Sequence, residues 1–525
     1  MNHWDYTVIG LYLLGMLVLS IKVAGHNHTT TDYFFAGRRL PYWVIGLSLV
    51  GTSISSITFL AYPADAFKTN WIRFLPNLIL PIAALLAVRW FIPLFRKGEF
   101  STCYQYLGHR FGTTTQRYAA TVFLLGQVLR VSVILYLLAL LIQTFTDLPI
   151  AACIIGAGLF VTAYTLIGGI EAVIWTDVIQ SLVLVVGGIV CLVVIGMHLP
   201  DWSSAWSAAW QADKLSVGAQ VNGAFVAPDW TFTLSEKTIT MMLCLGLIHW
   251  LTEFCGNQNT VQRFIAARSE RAAKQSLWVC VASSLPIWAL FMAVGTALWL
   301  FFQQIPHEQA SAMLNGEQPA EGILPLFVME TLPAGIRGLI LAAALAAAMS
   351  SLDSSLNAIS TVVLIDGWRG DQIWSDATQL KRARQLTAAA GICMIMGALL
   401  FHSMTTSTVQ DTLTKGVSIL AGGLLALYLL AAFSSIRRES PILIAIGATL
   451  FTGGLIAFEA LPWAVDPYNL ALVSNLTLLV VALITHRFIG EVPAETQPLA
   501  SQKASKEQPM EQPMEQPIRT TESIH

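Results

Sequence analysis

The sequence predicts an all-α, polytopic membrane protein of about thirteen transmembrane helices. Three observations lead there. Of 525 residues, 55% are hydrophobic and only 11% charged, whereas soluble domains carry roughly a quarter charged residues. Apolar runs long enough to cross a bilayer recur, among them "FLPNLILPIAALLAVRWFI" and "LVLVVGGIVCLVVIGMHL". Lys and Arg gather in alternate loops, as they do in proteins threaded through a membrane.

The elements follow in order. "MNHWDYTVIGLYLLGMLVLSIKV" lacks a basic leader and a small-residue cleavage site, so it reads as the first span, near 5–23. Further spans are expected near 41–66, 71–95, 118–144, 149–167, 172–198, 238–256, 276–302, 334–365, 383–402, 411–434, 440–460 and 469–486. Arg38 and Arg39 follow the first span, and Arg96, Lys97, Arg110 and Arg117 the third. Arg263, Arg268, Arg271 and Lys274 follow the seventh, Lys381, Arg382 and Arg384 the ninth, and Arg437 and Arg438 the eleventh. With this count all fall on one side, which puts the N-terminus outside and the C-terminus in the cytoplasm. After Arg487 the chain turns polar and proline-bearing, with "EQPM" repeated; it cannot bury a core and should be a disordered cytoplasmic tail over 488–525.

Composition also excludes functions. A net charge of −2 with no basic domain gives no footing for nucleic acid. The seven cysteines lie mostly in spans and read as packing residues. The spans hold no nucleophile–base pair and no His or Cys cluster, so an enzyme is not expected. No repeated charged or carbonyl ring marks a channel. No obligate protein partner is evident, and the tail is too short for a signalling domain.

Ionisable residues inside spans are functional candidates by default, and four stand out: Arg130, Asp177, Glu253 and Asp353. Two spans are interrupted. The second, "LSLVGTSISSITFLAYPADAF", crowds Gly51, Thr52, Ser53, Ser55, Ser56 and Thr58 into one segment, with Pro63 further on; in the seventh, "GLIHWLTEFCGNQNTVQR", Glu253, Gly256, Asn257 and Gln258 break the apolar run. Lying five spans apart, they enter the membrane in opposite senses, the pattern of an inverted-repeat transporter with its site at the midplane. The ninth span carries "AAAMSSLDSSLNAIS". Ala347, Ser350, Ser351 and Ser354 share a helix face there, with Asp353 offset toward Asn357. Hydroxyls and carbonyls with one carboxylate suit a hard monovalent cation; calcium draws more carboxylates, and zinc needs His or Cys. Sodium fits, although the serines alone would also be explained by bonds to their own i−4 carbonyls.

At these residues the chain resembles the sodium:solute symporter family, over about 5–487. "YFFAGRRLPYWVIGLSLVGTSISSITFLA", "TLIGGIEAVIWTDVIQ" and "AAAMSSLDSSLNAIS" carry the resemblance. It implies the inverted-repeat, leucine-transporter-like fold, with an extra N-terminal helix and loop in 1–40, a ten-helix core in 41–435 and two further helices in 436–487. It also implies a main sodium site at Gly51, Ile54, Ala347, Ser350 and Ser351, and a second at Asp177, Ser350, Asp353 and Ser354, where Asp353 stands at a position that can be serine. One or two sodium ions would be co-transported across the cell (inner) membrane. The sialic acid branch of the family is similar in the positions of its substrate contacts, which map on Ser53, Ser55, Thr58, Asn77 and Arg130; Asn77 replaces a glutamine of that branch. A guanidinium at Arg130 fits a carboxylate, so a sugar acid is the first expectation. A neutral sugar, polyol, monocarboxylate or vitamin is the alternative, with Arg130 then paired to Glu253.

Overall fold

The computed structural model describes residues 1–25, 29–98, 100–146, 148–221, 224–226, 230–232, 238–367, 375–404, 415–457 and 469–489. The tail expected to be disordered lies, from 490 on, outside the described residues. The principal helices are α1 (His3–Ala24), α2 (Tyr42–Ser53), α3 (Ser56–Lys68), α4 (Ile72–Lys97), α5 (Cys103–Arg110) and α6 (Thr113–Thr146). They continue with α7 (Ile150–His198), α8 (Ile239–Gly256), α9 (Gln258–Ala266), α10 (Glu270–Gln304) and α11 (Ile323–Thr331). The last are α12 (Ile336–Val362), α13 (Asp376–Ser403), α14 (Lys415–Phe433), α15 (Glu439–Ala457) and α16 (Leu470–Ile489).

Eleven helices among the described residues are long and apolar enough to cross a membrane, and the bent pair α2–α3 makes a twelfth. The thirteenth is hidden inside α7, where the spans expected at 149–167 and 172–198 run together through a kink at Gly169. Gly169 has φ +60° and ψ −163°, a region that is essentially glycine-only. A Cβ there would also stand 2.8 Å from the Tyr33 carbonyl oxygen. Among the described residues, all-α holds apart from one pair of short strands, Ala219–Val221 against Ala224–Val226, in the loop after α7. That loop straps down the end of α3: Lys214 donates to the carbonyls of Phe67 at 2.8 Å and Lys68 at 3.3 Å, satisfying groups that a helix terminus leaves open.

The arrangement is concentric. In α12, 94% of the membrane-length window is buried, so its serines face protein on every side. Leu352 and Leu356 pack with Leu135 and Leu138 of α6 in one apolar cluster, while α1, α2, α7, α9 and α13 complete the surround. The N-terminal helix is part of this body. Asp5 accepts from the backbone N–H groups of Gly335 at 2.7 Å and Gly338 at 3.1 Å, capping α12, and Ser20 donates to the Tyr164 carbonyl at 2.5 Å. At the far end, Glu439 accepts from the backbone N–H of Thr115 at 2.7 Å and so ties α15 to the start of α6.

Candidate functional site

The crowded hydroxyl segment is a true helix break. Helix α2 stops at Ser53, Ile54 (φ −108°, ψ 108°) and Ser55 (φ −108°, ψ 179°) are extended, and the chain restarts with a 58° bend. A stopped helix exposes its last carbonyls and the negative end of its dipole, both attractive to a cation. Those carbonyls meet α12. Ser350 donates to the Gly51 carbonyl at 2.9 Å and to that of Ala347 at 3.3 Å, so three expected sodium ligands converge on one point. The Ser351 hydroxyl is buried beside them without a hydrogen-bond partner. Such an orphaned oxygen is costly unless something else binds it. The donor set, neutral oxygens only, fits a monovalent cation.

Next to this cradle sits a group absent from the expected sites. Arg263 follows the second break and was read as a cytoplasmic loop cation; the structure places it in α9, with its side chain and that of Asp177 both 0% exposed. Its Nη2 donates to Asp177 Oδ2 at 2.7 Å and to Ser354 Oγ at 2.6 Å, Nε to Ser48 Oγ at 2.7 Å, and Nη1 to the Asn259 carbonyl at 2.7 Å. The four expected ligands of the second sodium site are gathered in one region, but the guanidinium already holds Asp177 and Ser354. Asp177 Oδ1 is left buried and unpartnered, toward Gly51. Asp353 points elsewhere: its Oδ2 accepts from Tyr164 at 2.7 Å and Thr176 at 3.4 Å, and its Oδ1 from the Ser354 backbone at 2.6 Å.

The second break explains Glu253. Its Oε2 accepts from Asn257 at 2.7 Å and its Oε1 from Thr260 at 2.7 Å, so the carboxylate bridges α8 to α9 across the interruption. The Gly256 carbonyl at the end of α8 accepts from the Tyr104 hydroxyl at 3.0 Å. Glu253 therefore does not pair Arg130. Among the described residues Arg130 makes neither an ion pair nor a hydrogen bond, although it is half-buried in α6. Helix α6 is held in place one turn away, where Gln127 accepts from Ser355 at 2.9 Å and Asn259 at 3.3 Å. Of the other substrate candidates, Ser55 and Thr58 are buried at the first break, Ser53 faces Cys280, and Asn77 donates to the Tyr62 hydroxyl at 2.7 Å.

Two broken helices, a cradle of neutral oxygens and a guanidinium without an ion pair among the described residues are features of a coupled transporter. The model of the sodium:solute symporter family matches residues 33–440. The chain belongs to that family. It is 32% identical over 433 residues to the sodium/sialic acid symporter SiaT of Proteus mirabilis (strain HI4320), covering 82% of this chain and 84% of that protein. It is 30% identical over 453 residues to the sodium/sialic acid symporter NanT of Aliivibrio fischeri (strain ATCC 700601 / ES114), covering 85% and 86%. Among solved structures, a substrate-bound, outward-open Na+-coupled sialic acid symporter superposes with a TM-score of 0.84 at 28% identity, covering 94% of this chain and 100% of that one. The likeness bears out the inverted-repeat, leucine-transporter-like fold. This is a multi-pass membrane transporter, and sodium and a small-molecule solute are its transport partners.

Proposed function

We propose that the protein is a sodium-coupled symporter of sialic acid, oriented in the cell membrane with its N-terminus outside and its C-terminus in the cytoplasm. The observation that carries the substrate class is Arg130. A guanidinium this far inside a membrane protein is expensive without an anionic partner, and Glu253, the nearest rival for that role in sequence, is committed to the helix break. A substrate carboxylate on Arg130, with hydroxyls of the sugar toward Ser55 and Thr58, completes the charge balance. The two relatives named above support the same substrate. Ser53 and Asn77 belong to the surroundings of that pocket, each turned toward a protein neighbour. The transport core occupies 41–435, with the helices of 436–487 as additions.

Sodium binds first at Gly51, Ile54, Ala347, Ser350 and Ser351. Because this point joins α2 of one repeat to α12 of the other, an ion there holds the two together and preorganises the broken segment beside Ser55 and Thr58. Binding of ion and substrate are then linked, and reciprocally so. A second sodium belongs near Asp353, with Asp177, Ser350 and Ser354 at its margin.

Ser350→Ala and Ser351→Ala each delete one oxygen of the first site while leaving helix propensity at least as high. Each is expected to raise the half-saturating sodium concentration of uptake about tenfold or more, the worth of one hydrogen-bonding partner of a charge. Unchanged sodium dependence in both variants, with folded protein in the membrane, would overturn the assignment of this site.

A further inference from the structure

Thr58, Tyr62 and Asp65 share one face of α3, at spacings of four and three residues. Tyr62 joins this face to the start of α4. Asn77 donates to its hydroxyl at 2.7 Å, and the Arg73 guanidinium lies over its ring, 5.7 Å from the centroid. Arg73 Nη1 also donates to Asp65 Oδ2. Two candidate substrate contacts, Thr58 and Asn77, therefore open onto a polar row that ends in the Asp65–Arg73 ion pair. In the orientation proposed above, the pair lies outward of the site, about 10 Å along α3 from Thr58 at the rise of an α-helix. The turn between α3 and α4 is fastened without this pair. Asn70 donates to the Gly218 carbonyl at 2.6 Å and to the Ser216 hydroxyl at 3.1 Å. The Trp71 backbone N–H donates to the Ser216 carbonyl at 3.0 Å, and its indole N–H to the Thr296 hydroxyl at 3.1 Å.

The side chains of Arg73 and Asp65 are 41% and 39% exposed, so both are reachable from water. At that exposure an ion pair contributes at most about 1 kcal/mol to stability. Its chemistry suits a ligand better than a fastening. Asp65 accepts only and Arg73 donates only, while a sugar hydroxyl does both, so one hydroxyl can bridge the two. An ion of either sign would have to break the pair; a neutral hydroxyl leaves it whole. The exposed part of the Tyr62 ring offers the apolar face that the carbons of such a chain need. We propose that Asp65 and Arg73 are specificity residues that hold the glycerol side chain of the sugar acid, the end remote from its carboxylate. This rests on the reading of Arg130 as partner of that carboxylate. With the ring at the level of Ser55 and Thr58, the side chain runs along Tyr62 toward the pair. Charge is then read at Arg130 and chain length at Arg73.

The test is calorimetric binding, in saturating sodium, of N-acetylneuraminate and of its analogue whose glycerol chain has been cut back to a single hydroxymethyl group. The protein is the purified full-length chain, as wild type, Arg73→Ala, and Asp65→Asn combined with Arg73→Gln, which removes both charges together. Wild type should bind the intact acid about tenfold or more tighter than the shortened one, the worth of a hydrogen bond to a charged group. Both variants should lower affinity for the intact acid to that of the shortened acid and leave the shortened acid unaffected. Their melting temperatures should match wild type, which separates lost contact from lost fold. Equal weakening of both ligands would make the pair a general positioning element and overturn the proposal. Unchanged affinity for both, with slower uptake, would make it a gate and overturn it too, as would a wild type that binds both acids alike. Failure of the underlying reading looks different: wild type would bind neither acid, or would bind the intact acid and its methyl ester equally.

Discussion

Arg263→Ala is expected to abolish sodium-driven uptake and to cost about 3–5 kcal/mol of stability, since it strands a buried carboxylate. Asp177 would lose its ion pair while Ser48, Ser354 and the Asn259 carbonyl each lost a donor. Arg263→Lys should rescue only part of this, because an ammonium cannot spread its donors over four acceptors in a plane. The informative companion is Asp177→Asn combined with Arg263→Gln, which removes both charges together. It should recover much of the thermal stability lost by Arg263→Ala, while sodium affinity stays impaired. The measurement is the melting temperature of detergent-purified protein in sodium and in choline chloride. A wild-type melting temperature for Arg263→Ala would show that the pair does not hold the repeats together.

The second large effect falls on Arg130. If its partner is the substrate carboxylate, truncation to Ala should weaken sialic acid binding by about 30-fold to several-thousand-fold, the measured range for losing one member of a desolvated charge pair. Arg130→Lys should fail nearly as badly, because a point charge does not reproduce the bidentate fork. Protein stability should change little, since Arg130 has no ion pair to lose among the described residues. Comparing N-acetylneuraminate with its methyl ester isolates the charge: wild type should strongly prefer the acid, and Arg130→Ala should bind both alike. Equal binding of acid and ester by wild type would move the substrate to a neutral solute.

Much of this was legible in the residues. Span count and the two breaks follow from hydropathy and from glycine, serine and asparagine placed where a helix should continue, because lipid leaves few other ways to arrange a backbone. The cradle at Gly51 and Ser350 was legible for the same reason: hydroxyls in a helix buried on all sides must meet something polar. Arg263 was not. A basic residue shortly after a break reads as a loop cation under the positive-inside rule, and only the length of α9, Gln258–Ala266, shows that the chain is still inside the protein there. The clue available was the pair Phe264 and Ile265, apolar residues that a cytoplasmic loop has no reason to carry next to Arg263. The pairing of Glu253 was missed too. Its partners, Asn257 and Thr260, are four and seven residues on, the spacing of one helix face, so the contact could have been read from the sequence had the helix been taken to run on past the break.

The central claim is that a sodium gradient drives a sugar acid through this chain. It is tested most directly by uptake of labelled N-acetylneuraminate into proteoliposomes of the purified protein, with sodium, potassium or choline outside. The account predicts accumulation above equilibrium only with an inward sodium gradient, inhibited by unlabelled acid and collapsing in Ser351→Ala at low sodium. Uptake of equal extent in choline, or no uptake of the acid while a neutral sugar accumulates with sodium, would contradict it.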